Sequence, residues 1–362
     1  MNFSKKNKNF FHVSILVGFI TLIIAAFNGE DLIGGAQYDY LFHEKYIVAF
    51  YEDFHQALSQ FGNNYEVRNS PIFFIFSSFF LKAGLKIEYL KYFNLIIILP
   101  LIIFFIKCLD AKFKNLKFET KAYLTSIIFI SPTIRSLSAW PYPLTWAICF
   151  FLISIYYFIK FQETKKKKDK IKYSILNIIF LALSAYFTPN FGVFSIFYLF
   201  HFLKYFRFTK ESFFLILINV IISIPAVYFL IIKDFYLFKH EASHVIKNYS
   251  IYDTLNISNK IIIISSIIFL FFFPFINFKK KFNKKFFQNS SLIIFFILIN
   301  LFFFNFQKGL GGGLFFHLSN VLFNGPVLLF FVFAASLFIF REYRLFNKYN
   351  IFLFIILIFY NI

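Results

Sequence analysis

The amino-acid sequence predicts an all-α fold, a polytopic bundle of transmembrane helices, and three observations support this prediction. Hydrophobic residues make up 59% of the chain, against roughly 45–50% in soluble globular domains. Apolar runs follow one another along all 362 residues, and short polar segments separate them. Lysine and arginine collect in alternate polar segments, as they do in cytoplasmic loops. We therefore expect a single integral membrane domain over residues 1–362, with about eleven crossings.

The helices are predicted from the apolar runs, in order. The first run follows Lys5, Lys6 and Lys8 and extends to Phe27, which suits an uncleaved first span. Several later runs are shorter than the roughly 20 residues of a spanning helix, so their ends are approximate. These runs lie at residues 71–83, 93–106, 122–134, 143–159, 174–187, 191–203, 212–232, 261–276, 291–304, 321–340 and 350–361.

The distribution of basic residues predicts the orientation. The segments assigned to the cytoplasm hold 26 of the 37 basic residues, and the complementary loops hold 8. Because cytoplasmic loops are rich in lysine and arginine, we expect a cytoplasmic N-terminus. We also expect a multi-pass protein of the bacterial inner (plasma) membrane. One of the runs 71–83 and 93–106 is then re-entrant or interfacial, since both lie between an outside and an inside loop. The cytoplasmic segments are the N-terminus and residues 107–121, 160–173, 204–211, 277–289 and 341–348.

Charge and cysteine content exclude several functions. The net charge is +20, but its division into short clusters between apolar runs indicates orientation rather than nucleic-acid binding. Cys108 and Cys149 are the only cysteines, so a disulfide framework or a thiolate metal site is not expected. The apolar runs carry almost no charge, which weighs against an ion-coupled transporter.

The first outside loop, residues 28–70, is the acidic region of a basic protein, with seven acidic residues against two basic ones. A helix over residues 37–59 would be amphipathic and would lie flat on the membrane surface. Its apolar face would hold Tyr40, Ile47, Tyr51, Phe54 and Leu58, and its polar face Lys45, Glu52, Asp53 and Gln56.

Asp39 and His43 are candidate catalytic residues in this loop. They are four residues apart and would share a flank of the helix, where a carboxylate could take a proton from an acceptor hydroxyl. Asp31 is the second candidate carboxylate. The alternative is a solvated acidic loop without a catalytic role.

Two further outside loops hold candidate phosphate ligands. Arg135 is the only charged residue in loop 131–142, and a guanidinium suits bidentate phosphate binding; alternatively it anchors the interface together with Trp140 and Tyr142. Loop 305–320 contains Lys308 and His317 beside a run of glycines, which allows backbone N–H groups to approach an anion. This loop could also be merely flexible.

Three segments resemble the polytopic glycosyltransferases of the GT-C fold, the group of oligosaccharyl, mannosyl and aminoarabinose transferases. The segment Gly34-Gly35-Ala36-Gln37-Tyr38-Asp39-Tyr40 resembles the start of that group's long first outside loop, which carries an acidic catalytic residue and a membrane-parallel helix. Arg68-Asn69-Ser70-Pro71 is similar to the polar entry to the next span. The segment from Ser131-Pro132 to Arg135 is similar to the second outside loop, although no acidic residue occurs from Thr120 to Gln162.

The resemblance implies transfer of a sugar from a polyprenyl-phosphate donor to a glycan or lipid acceptor, with inversion at the anomeric carbon. Asp39 would act as general base, and Arg135, Lys308, His317 and Arg68 would bind the donor phosphate. No cofactor is certain, and a divalent metal is not supported because a second acidic loop is missing. The alternatives are a polysaccharide polymerase or ligase, and a lipid-linked sugar flippase or other transporter.

Overall fold

The computed structural model of the protein describes residues 2–32, 35–61, 70–228, 257–273, 276, 290–305 and 313–342, together with residues 351 and 355. Within these residues every regular element is a helix, which confirms the all-α prediction. The chain divides into two compact units, Met1–His240 and Glu241–Ile362, which are described separately. The expectation of a single domain stays a prediction.

The first unit contains eleven α-helices in its described residues. They are α1 (Asn2–Asn28), α2 (Ala36–Glu52), α3 (Phe54–Gln60), α4 (Ile72–Lys82), α5 (Leu90–Lys112), α6 (Phe118–Ile130), α7 (Pro132–Ala139), α8 (Pro143–Glu163), α9 (Lys167–Phe187), α10 (Phe194–Phe206) and α11 (Lys210–Val227). Short 3₁₀ helices, Ile87–Tyr89 and Pro189–Val193, precede α5 and α10.

Five helical segments of the first unit are long and apolar enough to cross a bilayer, among the described residues. This number supports a multi-pass protein, while the expected count of about eleven crossings stays a prediction. The segments are Asn9–Asn28, Ile87–Lys112, Pro143–Glu163, Lys167–Phe187 and Lys210–Val227.

Helix α4 is the shorter of the two apolar helices between the first outside loop and the next basic segment. Its 11 residues extend about 16 Å at 1.5 Å per residue, about half of a hydrocarbon core of ~30 Å. The continuous segment Ile87–Lys112 has 26 residues, enough to cross. Helix length therefore favours run 71–83 as the one that does not cross.

The long apolar helices of the first unit pack through small and polar side chains. Helix α9 packs closely along α8, and α8 also packs on α5. The amide of Asn177 donates to the carbonyl of Ser154 at 2.9 Å, and the hydroxyl of Ser184 donates to the carbonyl of Ala147 at 2.7 Å. Such interhelical hydrogen bonds stabilise helix pairs where water is absent.

The helix predicted over residues 37–59 is broken in the structure. Helix α2 ends at Glu52, and Asp53 caps α3 by accepting a hydrogen bond from the Gln56 N–H at 2.9 Å. Tyr51, which was assigned to the apolar face of that helix, is exposed in the structure, and its place on a membrane-facing side stays a prediction. The buried stripe follows spacings of three and four residues, through Ala36, Tyr40, His43, Ile47 and Phe50. An interfacial position for α2 stays a prediction.

The second unit contains four described α-helices packed around buried aromatic and aliphatic side chains. Helix α14 is joined to α15 by a turn in which the Ser319 hydroxyl donates to the Gly325 carbonyl at 2.5 Å and accepts from the Leu328 N–H at 3.0 Å. Phe316 and Phe333 are fully buried in its core. The helices are α12 (Ile257–Phe272), α13 (Ser291–Phe303), α14 (Gly313–Phe323) and α15 (Val327–Glu342).

Candidate active site

Helix α1 ends in a turn that requires glycine. The N–H of Gly29 bonds to the Ala26 carbonyl at 3.3 Å, and the N–H of Glu30 bonds to the Ala25 carbonyl at 3.0 Å, which is the Schellman pattern. Gly29 has a φ of +61°, and a Cβ there would lie 3.2 Å from the Trp140 ring. The turn thus brings the start of the acidic loop against the end of α7.

Glu30 and Arg135 form a bidentate ion pair between this turn and α7. The Arg135 Nε donates to Glu30 Oε2 at 2.9 Å, and its Nη2 donates to Oε1 at 2.6 Å. The Nη1 atom lies 3.4 Å from the Thr21 hydroxyl and 3.4 Å from the Phe129 carbonyl. Because the two side chains are only 20% and 24% exposed, the guanidinium is directed into the protein. The predicted phosphate-binding role of Arg135 therefore requires that a phosphate replace Glu30.

Asp31 fixes the start of α2. Its Oδ2 accepts a hydrogen bond from the Gln37 N–H at 3.1 Å, where the first turn of a helix has unpaired N–H groups and a partial positive charge. The next residue, Leu32, donates its N–H to the Ser136 hydroxyl of α7 at 2.8 Å. These bonds hold the acidic segment to both α2 and α7.

Asp39 lies in the first turn of α2 and is exposed. Its carboxyl group is hydrogen-bonded to the side chain of Tyr142, in the connection between α7 and α8. Partial burial of the group, together with the negative charge of Asp31, raises its pKa above the ordinary value, and the Tyr142 bond opposes that rise. The structure thus presents a carboxylate that is accessible and more basic than a fully solvated one.

His43 lies one turn after Asp39 and is buried, with 5% of its surface exposed. Its ring centroid lies 4.8 Å from that of Tyr142 and 5.4 Å from that of Phe74, and it hydrogen-bonds to the backbone of Pro141. Burial lowers the pKa of His43 to about 4, so the imidazole is neutral at pH 7. The catalytic role predicted for His43 stays a prediction, and its surroundings are those of a packed side chain.

Three further residues are predicted phosphate ligands. Arg68 and Lys308 lie outside the described residues. His317 is an exposed residue of α14 in the second unit, with its ring against that of Phe316 at 5.8 Å. The binding roles of these three residues stay predictions.

Tyr142 and Glu30 are the two residues of the site that the sequence did not assign. Tyr142 was interpreted only as an interfacial anchor, and Glu30 only as one of seven acidic residues. The sequence did contain a signal that an acidic residue such as Glu30 pairs with Arg135. Arg135 is the single charged residue of loop 131–142, and this loop is predicted to lie on the same side of the membrane as the acidic loop. No comparable signal identified Tyr142, because its contacts depend on tertiary packing.

A metal site is not formed by the described residues: no group of three or more His, Cys, Asp or Glu side chains there could hold an ion. Asp31 and Asp39 are near enough to interact electrostatically.

An apolar cavity of about 730 Å³ lies between α4, α9, α10 and α11 of the first unit. Ile72 and Ile75 of α4 line it, while Phe73 and Phe74 of the same helix contact His43. Its volume falls within the 300–1,000 Å³ typical of small-molecule sites. Helix α4 therefore contributes both to the wall of the cavity and to the packing beneath the candidate active site.

The described helices are compatible with a helical multi-pass membrane protein. No family model, curated protein or solved structure matches the chain.

Proposed function

We propose that the protein is a membrane glycosyltransferase that moves a sugar from a polyprenyl-phosphate donor to a glycan or lipid acceptor, on the non-cytoplasmic face of a bacterial inner membrane. The observation that carries the proposal is the exposed Asp39 carboxyl group, which has a raised pKa and is oriented by Tyr142. A general base of this kind must reach its substrate and must accept a proton near the working pH.

The reaction is a single displacement. The Asp39 carboxylate takes the proton of the acceptor hydroxyl while the acceptor oxygen forms a bond to the anomeric carbon. The bond from that carbon to the donor phosphate oxygen breaks, and its electron pair leaves with the phosphate. Attack opposite the leaving group inverts the anomeric configuration. Basic side chains stabilise the charge that develops on the phosphate, and Arg135 has this role if a phosphate replaces Glu30.

The apolar cavity supports a lipid-linked substrate. Aliphatic side chains and small residues form most of its lining, which suits a hydrocarbon chain and not a sugar. Its few polar groups include Ser70, the last residue of the acidic loop, and Asn219 on α11. A transporter for sugars would need a polar passage instead, so the lining favours transfer over transport.

The test is sugar transfer from labelled polyprenyl-phosphate sugars in membranes that contain wild-type protein or Asp39→Asn at matched expression. The amide keeps the size of the side chain and removes its basicity, so we expect transfer to fall by 10²-fold or more, as is usual for loss of a general base. Glu52→Gln is the matched control, because Glu52 is an exposed carboxylate at the other end of α2.

Equal transfer by wild type and Asp39→Asn would overturn the role of Asp39. Absence of transfer by wild type across a broad donor panel would favour polymerisation or transport instead.

A further inference from the structure

We propose that Tyr142 is a positioning residue of the candidate active site, whose hydroxyl holds the Asp39 carboxyl group while its ring packs on His43. The inference rests on the proposed function of Asp39 as general base. It assigns a role to a residue of the connection between α7 and α8, which lies about a hundred residues from Asp39 in the sequence.

The backbone around Tyr142 is restricted on both sides. Pro141 precedes it, and Pro143 follows it as the first residue of α8. A residue before proline is disfavoured in the helical region and is directed to extended conformations, and Tyr142 has φ −143° and ψ 140°. Pro143 thus restricts the backbone of Tyr142 and with it the direction in which the tyrosine side chain leaves the backbone.

The Tyr142 ring is also fixed by packing. It lies with its centroid 4.8 Å from that of His43, and His43 in turn hydrogen-bonds to the backbone of Pro141. Asp39 is one helical turn before His43 on α2, so side chains at these positions are neighbours on the helix surface. A ring packed on His43 can therefore reach Asp39 with its hydroxyl.

The hydrogen bond has two consequences for a base. It orients one carboxylate oxygen and leaves the remaining lone pairs to accept a proton from substrate. It also stabilises the charged form and so lowers the pKa of Asp39, whereas burial and the charge of Asp31 raise it. Tyr142 and Asp31 therefore change the basicity of Asp39 in opposite directions.

Other charged or titratable groups of the packed elements are accounted for as follows. Glu30, which precedes Asp31, is paired with Arg135, and Lys82 at the end of α4 lies over the Phe54 ring at 5.9 Å. Tyr40 on α2 hydrogen-bonds to the Ile87 carbonyl at 3.5 Å. The remaining ones on α2, α3 with its cap, and the 3₁₀ helix before α5 are Tyr38, His43, Glu44, Lys45, Tyr46, Tyr51, Glu52, Asp53, His55, Glu88 and Tyr89.

The test measures the protonation of Asp39 directly, without requiring transfer. A hydrophobic carbodiimide modifies protonated carboxyl groups, so purified protein in detergent is labelled between pH 4 and 9 and modification of Asp39 is quantified by mass spectrometry. We expect Tyr142→Phe to move the labelling midpoint to higher pH and Asp31→Asn to move it to lower pH. Tyr51→Phe is the control, since it removes an exposed hydroxyl from the same helix.

A second variant keeps the proposal testable where Tyr142→Phe does not fold. Difluorotyrosine at position 142 retains the ring and makes the hydroxyl a stronger donor, so it should move the midpoint to lower pH. Midpoints equal to that of wild type in both Tyr142 variants would overturn the positioning role.

Transfer assays then separate this inference from the proposed function. If wild type is active, Tyr142→Phe should lower kcat about tenfold at pH 7 with little change in KM, which is the loss expected for one hydrogen bond to a charged group. The variant should also move the acid limb of the pH profile to higher pH. Shifted labelling without transfer by any form would overturn the function and the catalytic purpose of the contact together. Normal transfer with unshifted labelling would overturn the inference alone.

Discussion

The acidic segment that follows α1 is attached to the helix bundle at two places, and these differ in how charge is balanced. At the first, the Glu30 carboxylate is paired with the Arg135 guanidinium in two hydrogen bonds. At the second, the titratable groups of Asp39 and His43 contact Tyr142, a neutral partner. A paired charge contributes mainly to structure, whereas a group with neutral partners remains sensitive to protons. The comparison therefore separates an anchor from the site of the proposed proton transfer.

The largest effect that this comparison predicts is acid destabilisation through His43. Its pKa is about 4 in the folded protein against an ordinary 6.5, so as the pH falls the unfolded state binds the proton first. His43 does not affect the free energy of unfolding above pH 6.5, and it lowers that free energy as the pH falls from 6.5 towards 4. Below pH 4 the full loss is about 3 kcal/mol, at 1.36 kcal/mol per pKa unit. Thermal unfolding in detergent between pH 7.5 and 4 measures this loss.

The variant His43→Phe provides the comparison, because it keeps an aromatic ring among Phe73, Phe74 and Tyr142 and removes the titration. We expect a smaller loss of stability between pH 6.5 and 4 in this variant, whatever its stability at pH 7.5. Parallel curves for wild type and variant would contradict the assignment of the acid response to His43.

The next effect concerns the anchor. Glu30→Gln keeps the shape of the side chain but leaves the mostly buried Arg135 without its charge partner, so we expect a loss of about 2 kcal/mol, typical of a hydrogen-bonded charged group. Unfolding in detergent at pH 7.5 measures it. Glu44→Gln is the control, since it removes one carboxylate from the same acidic segment.

The double variant Glu30→Gln with Arg135→Gln sharpens this prediction. It removes both charges, so it should be more stable than the sum of the single variants predicts. Additive losses would show that the ion pair contributes nothing beyond its separate side chains.

The helical membrane class and part of α2 could be predicted from the sequence, since both depend on local hydrophobic pattern. The burial of Tyr40 and Ile47 follows from helical periodicity alone. The break at Asp53 could not be predicted in this way, because it depends on a side-chain cap to Gln56 that competes with continuation of the helix.

The site was predictable only in its composition. Asp39 was identified because it lies in the acidic loop, four residues before His43 and in a segment that resembles the GT-C fold. Asp31 was the second carboxylate of that loop, and Arg135 is the only charged residue of loop 131–142. The pairing of Arg135 with Glu30 joins residues 105 positions apart, and the Tyr142 contact likewise depends on the packing of α7 between α1 and α8. Helical periodicity carries no information on contacts at such separations.

The smallest predicted effect tests whether the turn at Gly29 helps to form the anchor. Gly29 and Gly84 both have positive φ, +61° and +88°, so alanine at either position is strained by about 1 kcal/mol. Only at Gly29 would the added Cβ also meet the Trp140 ring, since nothing lies within 4 Å of one at Gly84. We therefore expect Gly29→Ala to lower the unfolding temperature more than Gly84→Ala. In the Glu30→Gln background, where the ion pair is already weakened, the decrease caused by Gly29→Ala should be smaller. Equal shifts for the two glycines would indicate that the turn contributes backbone geometry alone and that the Glu30–Arg135 pair forms independently of it.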